Sequence, residues 1–320
     1  MTKARAAQIN VDATPYYHCI SRCVRRSFLC GYDNEEGKNF EHRRAWIEER
    51  LLMLAQAFCI DVCAYAIMSN HYHVVLHINT NSANTLAPID VAERWLTFHQ
   101  GPVLIQRFVK GEVLSEAETE RCLEIIDTWR ERLCSISWFM RLLNQHIASE
   151  ANREDQCTGH FWEGRFKSQA LLDEKALAAA MAYVDLNPIR ADMADSPESS
   201  DHTSVKARIE ALHSDHTNAE GLLVFAGYPR KDMHDGIPFR LIDYLELVDW
   251  TGRQVRDDKR GQISSTLPPL LERLGIEPAL WLKTASNIEV GTMVGSETSI
   301  KAALPLLQRQ RASGLRLPDS

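Results

Sequence analysis

The sequence predicts an α+β protein built on a small antiparallel sheet. Three observations carry this. Strand-like runs at 15–23 and 60–78 frame a helix-period run at 41–58. A second helix and a short strand follow at 136–152 and 165–172. The composition then changes after Asp192, where Ser, Pro and Asp crowd into 194–204. The order β-α-β-β, then helix, strand, helix, is that of an α+β layer. The 320 residues, at roughly 150 per domain, suggest two domains.

Each element has its own signal. PYYHCISRC (15–23) alternates well enough for a strand. In 41–58, Trp46, Leu51, Leu54 and Phe58 recur at helical steps. IDVCAYAI (60–67) and HYHVVLHI (71–78) read as the two strands of a hairpin. Met68-Ser69-Asn70 between them suits a turn, because Ser and Asn bond to nearby backbone. Residues 80–135 read as a helical insertion, acidic by nine residues against six bases. Residues 173–187 read as a helix with Asp173 as its N-cap. From 205 to 320 the chain reads as an appended, mainly helical domain broken by Gly and Pro.

Two places hold chemistry. Side chains alternate along a strand, so His71, His73, Val75 and His77 share one face, and Tyr72, Val74, Leu76 and Ile78 share the other. The second face is nearly all apolar and should face the core. Two imidazoles at i and i+2 can converge on one metal ion, although a solvated strand face holding histidines gives the same pattern. In the 173–187 helix, Leu177, Met181 and Val184 form a packing stripe. Tyr183 lies off it, beside Ala179 and Ala180, and Asn187 lies one turn on. Pro188 places Asn187 at the last helical turn, where its amide oxygen can reach outward. Taken alone, this pair is better explained as an edge tyrosine and a capping asparagine. The C-x3-C pairs Cys19/Cys23 and Cys59/Cys63 lack the usual zinc spacing and read as ordinary thiols.

Taken together, these motifs resemble a known family. MSNHYH (68–73), GHFWEGRFKS (159–168) and Tyr183-Val-Asp-Leu-Asn187-Pro188, preceded by HCISRC (18–23), are similar to the single-tyrosine HUH transposases, above all the REP-associated tyrosine transposases. The likeness covers roughly residues 12–192, interrupted by the 80–135 insertion, and Asp249-Trp250-Thr251-Gly252-Arg253 looks like part of the extension of longer members. The resemblance implies a ferredoxin-like (RRM-like) fold and His71, His73 and Asn187 as ligands of a divalent metal. It implies Tyr183 as a nucleophile that cuts one DNA strand, leaving a 5′-phosphotyrosine and a free 3′-hydroxyl. Two imidazoles and an amide oxygen suit Mn²⁺, and Mg²⁺ serves while keeping several waters. A phenol with a pKa near 10 is ionised only about one time in a thousand at neutral pH, so its proton must leave during attack.

Charge narrows the partners. The net charge of −7 does not by itself suggest nucleic acid, but distribution matters more than the sum. Arg22, Arg25 and Arg26 cluster after the first strand, and Trp162, Arg165 and Lys167 mix an aromatic with cations before the tyrosine helix. Such mixtures hold single strands through stacking and phosphate contact. These six are the expected contacts to single-stranded or hairpin DNA. No apolar window approaches ~18 residues and no signal peptide is visible, so a cytoplasmic protein is expected. Two other functions fit the same residues: a DNA-binding regulator of repeat hairpins that no longer cuts, and a metal-dependent hydrolase unrelated to DNA. The oligomeric state stays open between monomer and homodimer.

Overall fold

The computed structural model describes residues 8–24, 29–33, 37–214, 216, 218–227, 236–255 and 267–318. Strand β1 (Tyr16–Arg22) comes first, followed by the two-residue strands β2 (Tyr32–Asp33) and β3 (Lys38–Asn39), which pair only with each other. Helix α1 (Arg43–Ala57) buries Leu51 and Leu54 of the predicted stripe, with Phe58 just past its end, while Ile47 is buried and Trp46 only partly so. Strands β4 (Ile60–Ile67) and β5 (His71–Ile78) form the expected hairpin, closed where the Met68 N–H donates to the His71 carbonyl at 2.9 Å. Their Val and Ile content suits a sheet that is covered on both sides.

The insertion is helical, as expected: α2 (Thr80–Thr85), α3 (Pro88–Leu96), α4 (Val103–Val109) and α5 (Glu116–Leu133). Ser115 and Glu118 cap α5 reciprocally, which ties down two otherwise unpaired backbone N–H groups. Trp95, Ile105, Ile126 and Trp129 turn inward and join the core that α1 shares with α6 (Ile136–Glu154). Strand β6 (Lys167–Leu171) then leads into α7 (Glu174–Asp185), where Asp173 accepts from the Ala176 N–H at 2.9 Å as the predicted N-cap.

The strands run in the order β4-β5-β1-β6-β7-β8, and the first four pair antiparallel with one another. Tyr72, Val74, Leu76 and Ile78 face the α1/α6 core, as alternation requires. The histidine face departs from a solvated surface. It lies under α7, and Val75 belongs to a second core with Leu177, Met181 and Val184. Ala176, Ala178, Ala179, Ala180 and Ala182 let α7 sit close, and the helix is buried nearly all round.

After α7 comes the single turn α8 (Asn187–Arg190), and then α9 (Ser204–His213), α10 (Leu241–Val255), α11 (Pro269–Leu274) and α12 (Pro278–Ser286). Helices α10 and α12 pack against α7. The segment 205–320 differs from the helical extension that the sequence suggests. It contributes β7 (Met293–Ser296) and β8 (Gly314–Leu317), separated by α13 (Glu297–Leu306). β7 runs parallel to β6 and pairs with Ala170 and Leu171, so it satisfies the edge that β6 would otherwise expose. Gly291 enters this edge at φ 84°, and a Cβ there would lie 2.4 Å from the Ser313 carbonyl. Among the described residues, no helix is long and apolar enough to cross a membrane.

Candidate active site

Register builds the floor of the site. His73 pairs with Ile20 and Ile20 with Lys167; His18 pairs with both Val75 and Gln169; Arg22 pairs with His71. Paired residues share a face, so His71, His73, His18, Arg22, Lys167 and Gln169 all project beneath α7. The His71 and His73 rings lie 4.7 Å apart, and His18 stacks on His73 at 5.2 Å. His71 Nδ1 bonds to Asn70 Oδ1, and His73 Nδ1 lies 3.0 Å from His18 Nε2. Burial holds His18 and His71 down to about 4 and His73 well below its usual value, so all three are neutral imidazoles at neutral pH.

Helix α7 supplies the nucleophile candidate. From Lys175 to Asp185, Tyr183 is the one residue that is not fully buried. Its ring meets His73 edge-on at 5.6 Å and His18 at 6.1 Å. Arg190, two turns further on, lies 3.8 Å above the ring and donates to the Tyr183 carbonyl at 2.8 Å. Burial and the adjoining Glu289 carboxylate push the phenol up, while Arg190 opposes them. Asn187 does not reach outward from the last turn of this helix. The helix ends at Asp185, and Asn187 opens α8 as a buried residue in the wall of the same cleft.

Glu289 carried no signal in the sequence. It follows α12, lies 43% exposed, accepts the Tyr183 hydroxyl hydrogen bond and stands 3.6 Å from His73 Nε2. His71, His73 and Glu289 each bring a ligand atom within 4.8 Å of the others. A divalent cation fits here on two grounds. Ligands of an ion held at about 2.1 Å sit about 3–3.5 Å apart, near the His73–Glu289 spacing. In addition, six buried side-chain nitrogens among the described residues make no hydrogen bond, and two of them lie together: Asn187 Nδ2 in the cleft wall and His73 Nε2 beneath it, against the Tyr183 ring. Buried polar atoms are normally satisfied, so two orphans in one place mark a ligand position. An amide's ends interchange by a half-turn, so Asn187 can equally present Oδ1.

The cleft encloses about 400 Å³ and is lined by Arg22, His71, Arg165, Lys167, Tyr183, Asn187 and Glu289, among others. Three of the expected DNA contacts thus border the tyrosine and histidines. Arg25 and Arg26 lie outside the described residues. Trp162 goes elsewhere. Its ring packs edge-on against Tyr72 at 5.7 Å and its Nε1 donates to the Asn144 carbonyl at 2.8 Å, on the sheet face opposite the histidines. An indole needs a partner for its N–H when covered, and Asn144 supplies it. The sequence reading missed His18, Gln169, Arg190 and Glu289. Pairing register, which alternation alone does not give, places His18 and Gln169 on the histidine face, and Arg190 reaches Tyr183 from α8, beyond the end of its helix. Nothing local marks Glu289.

No family model matches this chain, and no curated protein does. Among solved structures, a REP-associated tyrosine transposase bound to a REP hairpin is similar at a TM-score of 0.39 and 9% identity, covering 74% of this chain and 97% of that one.

Proposed function

We propose that the protein is a metal-dependent, HUH-type single-strand DNA endonuclease and strand transferase acting on single-stranded or hairpin DNA. The observation that carries this is the convergence, from positions more than a hundred residues apart, of Tyr183 with His73 beneath its ring and His71 beside it in a cleft bordered by Arg22, Arg165 and Lys167. The order β4-β5-β1-β6, with α1 and α6 as crossovers, supports a ferredoxin-like catalytic unit over 12–192. Glu289 reaches that unit from beyond it.

His71, His73 and either Asn187 or Glu289 would hold Mg²⁺ or Mn²⁺. The cation, when bound, polarises a phosphoryl oxygen and orients the diester for in-line attack. Arg22, Arg165 and Lys167 draw the backbone into the cleft, with an affinity that falls as salt rises. Arg190 and the tight packing of α7 hold the Tyr183 ring over the histidines. The Tyr183 oxygen forms the new bond to phosphorus while the bond to O3′ breaks; the phenolic proton passes to the Glu289 carboxylate it already faces, and O3′ takes a proton from water to leave as the 3′-hydroxyl.

The test is a single-stranded oligonucleotide carrying a hairpin and labelled 3′ of the cut, incubated with Mn²⁺ and run on a denaturing gel. The parent should form a covalent adduct that mass spectrometry maps to Tyr183. Tyr183→Phe should fold and bind the DNA yet lose adduct by at least about 1,000-fold. His73→Ala should lose cleavage while keeping most DNA binding. An adduct on another tyrosine, or full cleavage by either variant, overturns the reading. Tight binding by the parent with no adduct at all would instead identify a non-cleaving hairpin regulator.

A further inference from the structure

We propose that Gln169 and His18 are positioning residues: they fix His73 with its proton on Nδ1, leave Nε2 as a donor to the cation, and tie that donor to the 288–291 turn carrying Glu289. This rests on the metal-site reading above. The argument runs outward from that turn. Gln169 places one end of its side-chain amide 2.7 Å from the Ile288 carbonyl, 3.3 Å from that of Val290 and 3.4 Å from that of Gly291. Carbonyl oxygens only accept, so this end is the NH₂ group. The amide oxygen therefore points the other way, at His18 Nδ1, 3.5 Å off.

That oxygen also only accepts. A lone pair on His18 Nδ1 would face it repulsively in a site from which water is excluded, so the His18 proton sits on Nδ1. A neutral His18 then has a lone pair on Nε2. His73 Nδ1, 3.0 Å away, must donate to it. The His73 proton is thereby assigned to Nδ1, and Nε2 is bare. This nitrogen is fully buried without a partner, and it faces Glu289 Oε1 across 3.6 Å. If Nε2 carried a proton, a charge-assisted bond would draw the two atoms to about 2.8 Å. Two electron-rich atoms at the longer spacing instead frame a cation. The opposite face of His71 repeats the logic, since its Nδ1 is engaged by Asn70. Hydrogen bonds to the remote ring nitrogen commonly set a ligating histidine in this way.

Sheet register makes the arrangement, because His18 pairs directly with Gln169 and sits diagonally from His73. The same amide that sets the tautomer also holds three loop carbonyls that flank Glu289, those of Ile288, Val290 and Gly291. Orientation of the imidazole donor and placement of the Glu289 carboxylate are therefore linked through one side chain.

The test uses the full, metal-free chain with ¹⁵N-labelled histidine. Long-range ¹H–¹⁵N correlation reads each ring's tautomer, and the His73 signals are those lost in His73→Ala. His73 should show a protonated Nδ1 and a bare Nε2. Calorimetric titration with Mn²⁺ alone should show His18→Phe binding about 10–100-fold more weakly than the parent. His18→Gln should recover most of that loss, because its amide oxygen can accept from Nδ1. A parent spectrum with the proton on Nε2, or parent-like Mn²⁺ affinity in His18→Phe, overturns the proposal. If His18→Phe does not fold, the parent spectrum decides alone. No DNA enters either measurement, so a missing covalent adduct would sink the nuclease reading and leave this one standing.

Discussion

Two buried polar clusters lie side by side on α7, and they are satisfied very differently. Asp185 is fully buried, yet its carboxylate accepts from the Ser204 hydroxyl, from the Val205 N–H at 3.0 Å and from the Tyr244 hydroxyl at 2.5 Å. At the cleft, by contrast, Asn187 Nδ2, two residues along the chain, makes no hydrogen bond, and His73 Nε2 on β5 has only Glu289 Oε1 at 3.6 Å. Strand β5 shows the same contrast along its length. His77 bonds to Asp61 at 2.8 Å and packs on Tyr16, whereas His73, four residues earlier, has one nitrogen unmatched. A satisfied cluster holds the fold together. Unsatisfied nitrogens also occur singly at Arg50, Arg208, Trp250 and Arg309, so what sets the cleft apart is that two lie next to the Tyr183 ring and the Glu289 carboxylate.

The sharpest way to break this comparison is Asp185→Ala. It strands two hydroxyls and a backbone N–H in the second core, and each buried donor left unpaired costs about 1–3 kcal/mol. Urea unfolding should show that loss. A variant as stable as the parent would mean that the cluster is not structural. His77→Ala is the next test. It removes one exchanged hydrogen bond and a ring contact, for a cost of about 1–2 kcal/mol. Mn²⁺ affinity and cleavage should stay at parental levels. A loss of metal binding in His77→Ala would extend the functional site to the whole histidine face and remove the distinction drawn along β5.

Much of this was legible in the sequence, and the reasons are local. Alternation in HYHVVLHI put the apolar residues and the histidines on their proper faces, and the Asp173 cap located the start of the tyrosine helix. The Tyr183 position off the packing stripe also holds, since helical periodicity decides it. What alternation cannot show is what covers a face. The sequence assigns the apolar side alone to the core, and the histidine side also lies covered, under α7 and the second core. The break after Asp185 was missed for a related reason. Pro188 announces an interruption, but the backbone continues directly into α8 and turns Asn187 inward. Glu289 was invisible because β7 must first pair with β6 before the turn at 288–291 reaches the cleft, and that pairing joins residues more than a hundred positions apart. Trp162 was misread by composition: an aromatic among cations looks like a stacking platform, but this one is held by Tyr72 and Asn144.

The smallest expected effect comes from a satisfied carboxylate far from the cleft. Glu48 on α1 accepts from Tyr65 at 2.5 Å and from His202 at 2.6 Å, joining α1 to the segment that leads into α9. Burial pushes its carboxyl up, but the hydrogen bonds from His202 and Tyr65 outweigh it, and the net shift is downward. A carboxylate whose value is lowered by folding adds stability above its ordinary 4.5, and that stability is lost as pH falls through the folded-state value. Glu48→Gln keeps an acceptor for Tyr65 and removes the charge. At neutral pH the variant should be less stable than the parent by no more than about 1 kcal/mol, as for other partly exposed pairs. The gap should close as the parent is titrated below pH 4.5, with cleavage and Mn²⁺ affinity untouched throughout. Urea midpoints of parent and variant between pH 7 and pH 3 check this. A gap that widens toward acid would show that folding raises the Glu48 value instead, and would place Glu48 with the unsatisfied groups of the cleft rather than with Asp185 and His77.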